Sequence, residues 1–283
     1  MVASTVCPHP DCGYDEAGRR PYANKRDGIP TVSGIASLLD AGKARSFPWA
    51  ASGVAATQAV HHTEAWWNLP TAGCTHEPGG FCEACAFIRS QFDREWMAKA
   101  DLGTHVHHLA LSWALGEDVD EDETSRPYLD ALERFYQDFQ PRWVHLERTV
   151  LGTVGGLKYR GTFDAIVDLV DACRALIDIK TGGVWPVEQT IQLAGYKRAD
   201  WITRWEDGKE ILEEKMPRVE DCGCLFLNGD GTYQMLWLPT DPTARVAFDQ
   251  LLSLHYWQRQ TTRWYREFLR RQESLEEEML DAH

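Results

Sequence analysis

The amino-acid sequence predicts an α/β protein in which a central mixed sheet is flanked by helices. The prediction rests on the order of the elements: helical segments, three strands, a helix, two strands and a long terminal helix. Elements in this order bury their apolar faces by packing into layers. A hydrophobic fraction of 43% and a length of 283 residues are sufficient for such a core.

The first part of the chain differs in composition from the rest. It is rich in Gly, Pro, Cys, His and Trp, and it predicts a Cys/His-rich appendage over residues 1–95, followed by a domain over residues 96–283. One helix is predicted within the appendage, over Val32–Gln58. Two more are predicted over Phe92–Leu115, with an interruption near Gly103, and over Pro127–Phe139.

Five strands are predicted from alternating patterns and from the turn residues between them. They are Trp143–Val150, Tyr159–Val170, Arg174–Ile179, Cys222–Leu227 and Tyr233–Leu238. The sequence Asn-Gly-Asp-Gly at residues 228–231 is a strong hairpin signal between the last two. Helices are predicted over Val187–Arg204 and, as one or two segments, over Thr243–Leu280.

The chain is acidic, with a formal net charge of −14 and acidic runs at Glu117–Glu123 and from Glu273 to Asp281. This argues against a protein that coats nucleic acid non-specifically, but it permits a local basic track beside a cation-loaded site. No apolar run is long enough to predict a membrane span, and the N-terminus lacks the order of a secretory signal. A cytoplasmic protein is therefore expected.

Two aspartates and a lysine form the most informative pattern. Asp178 and Lys180 are two residues apart in a predicted strand, so their side chains project from the same face. Asp164, in the preceding strand, can face them across a hairpin. Carboxylates that share a small space repel each other, and a divalent cation such as Mg²⁺ resolves this repulsion. Such a cation can activate water for attack on a phosphate, while the lysine can orient or deprotonate that water and offset the developing negative charge.

An Asp-x-Lys pair alone is a weak signal, because many strands end in this way. Here it is one of five ordered motifs: Gly103-Thr104-His105-Val106-His107, Glu147 before Val150, Gly161-Thr162-Phe163-Asp164, Asp178-Ile179-Lys180-Thr181-Gly182 and Gln192-Leu193-Ala194-Gly195-Tyr196. Together they resemble the motifs of the PD-(D/E)xK nuclease superfamily in its RecB-like branch. The closest resemblance is to phage-encoded exonucleases related to the CRISPR-associated adaptation nucleases, and it extends from about Ile29 to Leu238.

The resemblance implies a restriction-endonuclease-like core and a metal-dependent DNA nuclease. An exonuclease that acts in phage-type DNA recombination or replication is favoured. DNA is its expected partner, and the resemblance also allows a recombination partner protein. The resemblance implies that His107, Asp164 and Asp178 bind Mg²⁺ or Mn²⁺, with the backbone carbonyl of Ile179 as a further ligand. Lys180 would serve the attacking water.

Three further residues have a catalytic role by resemblance and an equally simple structural explanation. Glu147 matches the acidic strand residue of the family, but a solvated strand residue would give the same pattern. Gln192 and Tyr196 are four residues apart and therefore share one face of a helix. By resemblance they position Lys180, the DNA phosphate or both. The alternative is that they pack the helix against the sheet.

Cysteine and histidine residues of the N-terminal region favour a structural zinc ion. Zinc sites need four such ligands, and Cys-x-x-Cys is a usual half-site. The residues at 82 and 85 could pair with those at 74 and 76, or with those at 7 and 12; unpaired thiols in loops are the alternative. The candidate ligands are Cys7, Cys12, Cys74, His76, Cys82 and Cys85.

An iron–sulfur cluster is not expected. Relatives that carry one use a cysteine trio after the nuclease motifs, whereas this chain has only Cys222 and Cys224 there. These two residues and Cys173 are interpreted as ordinary buried or strand residues.

A row of arginines is predicted along one face of the last helix, because the residues are spaced by four, three and four positions. The row is either a track for DNA phosphates, to which Tyr196 would also contribute, or a solvated face on a helix whose aromatic residues pack on the core. Its members are Arg259, Arg263, Arg266 and Arg270.

Two other functions compete with the nuclease. One is a non-catalytic DNA-binding or assembly protein on a nuclease fold, and the other is a structural zinc protein. A binding protein has no physical need to retain carboxylates that repel each other, which favours the enzyme. No pattern in the sequence predicts an oligomeric state.

Overall fold

The structure, a computed structural model, describes residues 28–39, 83–119, 122–170, 173–206 and 209–281. These residues form an α/β protein with a seven-stranded mixed sheet flanked by helices, which confirms the predicted class. The helices are α1 Val32–Ala36, continued by a 3₁₀ turn at Ser37–Leu39, α2 Glu83–Ala114, α3 Arg126–Phe139, α4 Pro186–Lys197 and α5 Pro242–Asp281. The strands are β1 Arg142–Val154, β2 Leu157–Asp168, β3 Arg174–Lys180, β4 Trp201–Glu206, β5 Lys209–Lys215, β6 Asp221–Leu227 and β7 Tyr233–Trp237.

The strands follow the order β5-β4-β1-β2-β3-β6-β7 across the sheet. β1, β2 and β3 pair antiparallel in succession, whereas β3 and β6 run parallel. A parallel pair needs a crossover connection, and the crossover here contains α4 and the β4–β5 hairpin. Asp178 and Lys180 lie at the carboxyl end of β3, between β2 and β6.

Two hydrophobic clusters fix the helices to the sheet. On one face α1, α4 and α5 contribute the buried residues Ile35, Leu193 and Phe248. On the other face α2 and α3 contribute Val106 and Phe135. Each fully buried side chain of this size stabilises the fold by about 1.5–3 kcal/mol relative to an exposed one. The helices that carry candidate site residues, α2 and α4, are therefore anchored on opposite faces of the sheet.

Helix α2 is longer and more regular than predicted. It begins at Glu83 rather than Phe92, and the interruption predicted near Gly103 is wrong. A glycine inside a helix costs about 1 kcal/mol relative to alanine, but a Cβ atom at Gly103 would lie 3.1 Å from Thr181 Oγ1. The glycine thus permits α2 to pass close to the end of β3. The division predicted between residues 95 and 96 falls inside this helix.

The helix predicted over Val187–Arg204 ends at Lys197, and Trp201 begins β4. The β4–β5 hairpin was not predicted. The aromatic and β-branched residues Trp201, Ile202 and Thr203 favour a strand, and an Asp-Gly pair at residues 207–208, outside the described residues, is a hairpin signal in the sequence. The helical pattern of the preceding segment was therefore extended too far.

The other predicted elements are confirmed within a few residues, and the C-terminal segment is a single helix, α5. The predicted helix at Val32 begins where Thr31 caps it by accepting a hydrogen bond from the Gly34 amide at 3.1 Å. Residues 40–58 of that prediction lie outside the described residues. Across the part of the chain that the structure describes, no helix has the length and apolar character needed to span a membrane.

Candidate active site

The candidate site forms where β2 and β3 separate. Their pairing ends with Ala165 opposite Ile177. One residue beyond, a side chain replaces the missing backbone pairing: Asp164 Oδ2 accepts a hydrogen bond from the Ile179 amide at 2.6 Å. Asp164 and Asp178 are both buried, at 6% and 3% exposure. The opening between the strands therefore places two carboxylates in the interior of the sheet.

His107, Glu147 and Asp164 form a group of potential metal ligands. His107 Nδ1 lies 3.7 Å from Asp164 Oδ2 and 4.0 Å from Glu147 Oε1. One potential ligand atom from each of the three residues lies within 4.8 Å of the other two. Three separate elements, α2, β1 and β2, supply these side chains. We call these residues the cation group.

Glu147 reaches this group through an unusual backbone conformation. Its φ angle is +46°, in the left-handed region, although it lies inside β1. For a residue with a Cβ atom this conformation costs about 1–2 kcal/mol, and it persists only where the surroundings impose it. The neighbours Leu146 and Arg148 pair with Ala165 and Phe163, so Glu147 lies across from Asp164. The backbone conformation of Glu147 thus places its carboxylate near that of Asp164, the other carboxylate of the cation group.

The Glu147 carboxylate is also incompletely satisfied. Its Oε2 atom is buried and has no hydrogen-bond partner among the residues that the structure describes. A buried charged oxygen without a partner is costly, which makes this atom a natural ligand for a cation.

The electrostatics of the cation group are visible at His107. Burial opposes the charged imidazolium, but the carboxylates of Asp164 and Glu147 outweigh burial, so the pKa of His107 lies above its ordinary value. The charged form of His107 is therefore favoured, because two carboxylates attract its positive charge.

Asp178 belongs to a second group, in which the charges are already paired. Its Oδ2 atom lies 2.5 Å from Lys180 Nζ, and its Oδ1 atom is 3.5 Å from the Gln192 amide nitrogen. The thiol of Cys224 lies 3.8 Å from Oδ2. Gln192 also donates to the hydroxyl of Tyr196 at 3.2 Å. We call these residues the lysine group.

Lys180 is held in its charged form. Burial lowers the pKa of Lys180, but the charges of Asp178 and Asp164 outweigh burial and keep this pKa above its ordinary value. Burial raises the pKa of Asp178, and the Lys180 charge acts against that shift. Of the roles that the sequence suggested for Lys180, the arrangement favours orienting the water and offsetting negative charge over deprotonating the water.

The motif glycine Gly161 has a steric role. A Cβ atom at Gly161 would lie 2.6 Å from Tyr196 Cε1, so any larger residue would displace the tyrosine ring. Tyr196 is 3% exposed and belongs to the core cluster below the sheet. Tyr196 therefore packs α4 on the sheet and also supports Gln192. The two explanations from the sequence, helix packing and positioning, thus apply to Tyr196 together. Its direct contact with DNA stays a prediction.

The structure brings most of the predicted site residues close together, but it places them in two separate groups. His107, Glu147 and Asp164 meet in the cation group, whereas Asp178 meets Lys180. The Ile179 amide binds Asp164, and the role of the Ile179 carbonyl as a ligand stays a prediction. Sequence reasoning missed the contact of Cys224 with Asp178. It follows from the parallel register that places the two residues side by side on β6 and β3, and such a register cannot be read from the residues of one strand.

The predicted zinc ligands lie almost entirely outside the described residues. Cys85 is part of α2, but its side chain is not described. Cys173, Cys222 and Cys224 are free cysteines. The other candidates, Cys7, Cys12, Cys74, His76 and Cys82, lie in the ranges that the structure leaves out.

The arginine row of α5 is exposed and forms a shallow surface groove on this helix. Arg263 pairs with Glu267 at 3.0 Å, and Arg259 donates to the Gly28 carbonyl at 2.7 Å. The aromatic residues of the helix do not pack on the core as the solvated-face explanation required: Trp257 and Trp264 are 60% and 64% exposed.

Comparison with known proteins adds little. No family model and no curated protein matches the chain. Among solved structures, one similar chain is described as "Crystal structure of SSO0001". It is 18% identical, the similarity covers 59% of this chain and 69% of that chain, and the TM-score is 0.28. A similarity this slight carries no argument about function.

Proposed function

We propose that the chain is a metal-dependent DNA nuclease that hydrolyses phosphodiester bonds. The observation that carries the proposal is the convergence of distant residues: His107, Glu147 and Asp164 offer ligand atoms within 4.8 Å of one another, and Lys180 lies 2.5 Å from Asp178. The charge of Asp164 also acts on Asp178 and Lys180, so the two groups are neighbours.

The donor set fits a hard or borderline divalent cation. An imidazole nitrogen and two carboxylates suit Mn²⁺, and carboxylate oxygens suit Mg²⁺. The buried Glu147 Oε2 atom without a described partner is the ligand atom that most needs a cation. When bound, the cation would be held by His107, Glu147 and Asp164, and it would supply Lewis acidity and an activated water molecule. Asp178 and the Ile179 carbonyl are further ligands by resemblance alone.

The protein's own residues account for the remaining requirements of hydrolysis. Lys180, held in its charged form, directs a donor at the attacking water or at a phosphate oxygen and offsets the negative charge that develops there. Gln192 restrains Asp178 and so fixes the partner of Lys180. The buried Tyr196 in turn supports Gln192. Residues so restrained need little reorganisation during the reaction.

We assign the substrate and the biological role by resemblance. A restriction-endonuclease-like core with an N-terminal Cys/His-rich appendage, exonuclease action and a role in phage-type recombination or replication are part of this proposal. Zinc bound in the appendage, a recombination partner protein and a cytoplasmic location belong to it as well. The exposed arginine row of α5 offers a track for DNA phosphates.

An assay with three DNA substrates tests the proposal. The purified chain is incubated with end-labelled linear duplex, linear single strand and closed circle, in Mg²⁺, Mn²⁺ or EDTA, beside Lys180→Ala and Asp164→Asn. Metal-dependent loss of linear DNA, absent in both variants, is the expected result. Nicking of circles would replace the exonuclease with an endonuclease. DNA binding without cleavage in any condition would favour the non-catalytic binding protein. A chain that contains zinc but neither binds nor cleaves DNA would favour the structural zinc protein.

A further inference from the structure

A surface groove of about 670 Å³ opens beside the candidate site. Its walls come from the last turns of α2 and α3 and from the first half of β1. Leu111 lines the groove one helical turn after His107, and on a helix residues four apart share a face. Leu146 and Arg148 also line it, and Glu147 stands between them. Residues that line the groove are thus chain neighbours of Glu147 or lie one helical turn from His107, which places the groove beside the cation group.

One side of this groove is an unpaired strand edge. Among the described strands, β4 pairs with β1 only over Thr149–Leu151, which leaves the preceding residues of β1 without a neighbour on that side. The first half of β1 thus lines the groove with a backbone edge that can still donate and accept hydrogen bonds.

The groove walls are apolar and aromatic. Tyr136 is 42% exposed and meets the ring of Trp113 edge-on, with centroids 5.3 Å apart and an interplanar angle of 80°. This contact restrains the orientation of the tyrosine ring, and a large part of the residue stays exposed. Trp143, Leu111 and Leu146 add further apolar surface. Flat apolar ligands gain stacking and burial on such walls.

The charged residues of the groove are already paired. Arg148 forms an ion pair with Glu213, Arg142 forms one with Asp168, and His145 Nε2 lies 3.4 Å from Glu214 Oε1. Both arginines thus have a carboxylate beside them, and burial lowers the pKa of His145, which disfavours its charged form. The groove therefore offers donors and acceptors together without a strong positive field. A phosphate prefers an excess of positive charge, whereas the edge of a nucleobase needs both donors and acceptors.

We propose that this groove binds nucleobases of the DNA strand whose phosphate lies at the cation group. The inference rests on the proposed function and deepens it. The substrate is a strand with unpaired bases next to the cleaved bond, because a base can enter the groove only when it has left its partner.

Binding measured without cleavage tests this inference. Fluorescence anisotropy in EDTA gives the affinity of the full chain for a labelled single-stranded oligonucleotide and for a series in which one position at a time is abasic. Wild-type protein should lose about tenfold in affinity at one or two adjacent abasic positions, since an abasic position has no base to stack on the aromatic ring. Uniform affinity across the series would overturn the inference.

Variants of Tyr136 locate the effect. Tyr136→Leu should weaken binding of the intact strand about tenfold and leave the strand abasic at the sensitive position unaffected. Tyr136→Phe, which keeps the ring, should bind like wild type. Tyr265→Ala, at a tyrosine 53% exposed on α5, is the matched control for loss of an exposed ring. Equal losses on intact and abasic strands in Tyr136→Leu would contradict the inference.

The proposed function is tested separately, by measuring DNA cleavage in Mn²⁺. Cleavage without any dependence on Tyr136 would remove the groove inference and leave the nuclease. Base-dependent binding without cleavage would keep the groove and remove the nuclease.

Discussion

The two groups of the candidate site solve the same electrostatic problem in opposite ways. In the lysine group, the buried Asp178 carboxylate has an ammonium 2.5 Å away and an amide at 3.5 Å. In the cation group, Glu147 and Asp164 face a single histidine, and Glu147 Oε2 lacks a partner among the described residues. The first arrangement is complete in the protein alone, whereas the second gains most from an added cation.

This difference indicates that the two groups have different roles. A carboxylate with all its partners in place is restrained and positions other groups, whereas carboxylates that repel each other store free energy that a cation can release. The strained backbone at Glu147, with its φ angle of +46°, is a second cost that the fold carries at the same place. Costs concentrated in this way are typical of functional sites.

The largest expected effect is on cleavage. Asp164→Asn removes a carboxylate that belongs to the cation group and also acts on Lys180, so DNA cleavage should fall by about 10³-fold or more. Initial rates on end-labelled DNA in Mn²⁺ measure the loss. Asp130→Asn, on the surface of α3, is the control and should cleave normally. An Asp164→Asn protein with more than a tenth of wild-type activity would break the assignment.

The next effect is a pair of opposite changes in the metal-free free energy of unfolding. At a pH above the raised pKa of His107, where the imidazole no longer compensates the two carboxylates, Glu147→Gln removes a buried charge that repels Asp164 and whose Oε2 atom has no described partner, so it should stabilise the protein by about 1 kcal/mol. Asp178→Asn leaves Lys180 without its partner and should destabilise by about 2 kcal/mol, less than for a fully buried pair because Lys180 is 28% exposed.

Urea denaturation in EDTA measures both changes. The comparison between the two groups fails if the two substitutions shift the unfolding midpoint in the same direction.

The pH dependence of the metal-free protein gives a smaller effect. The pKa of His107 is raised above its ordinary value of 6.5 by Asp164 and Glu147, which outweigh burial. Stabilisation from the charged histidine is therefore full below pH 6.5 and is lost as the pH rises through the raised pKa of the folded state. Thermal unfolding in EDTA at several pH values should show this loss for wild type but not for His107→Gln. A flat profile in wild type would contradict the electrostatic description of the cation group.

The smallest effect concerns the arginine row. Arg263→Gln should weaken DNA binding only a few-fold and lower the salt slope of log affinity by about 1, because it removes one phosphate contact on an exposed helix face. Anisotropy titrations at several salt concentrations measure the slope. An unchanged slope would identify the row as a solvated face, and it would not bear on either group of the candidate site.

Local patterns were sufficient to predict most of the fold. The alternation in β2 and β3 and the hairpin residues between β6 and β7 placed those strands within a few residues. Helix α4 was extended too far because the sequence after Lys197 keeps apolar residues at helical spacing, and this concealed the strand at Trp201. Gly103 was read as a helix breaker, although close packing against Thr181 explains it.

The candidate site was predictable as a set of residues but not as an arrangement. His107, Asp164, Asp178 and Lys180 follow from the motifs, whereas their division into two groups depends on where β2 and β3 separate. The left-handed backbone of Glu147 has no signal in the sequence, because a glutamate rarely adopts it. Cys224 reaches Asp178 only through the register of two strands distant in sequence.

Calorimetric titration of Mn²⁺ into the metal-free wild-type protein and into Glu147→Gln measures the cation group without DNA or catalysis. We expect wild type to bind Mn²⁺ and Glu147→Gln to bind it at least about tenfold more weakly. Equal affinity of the two proteins would mean that the cation does not bind at His107, Glu147 and Asp164, and it would refute the cation group as a metal site.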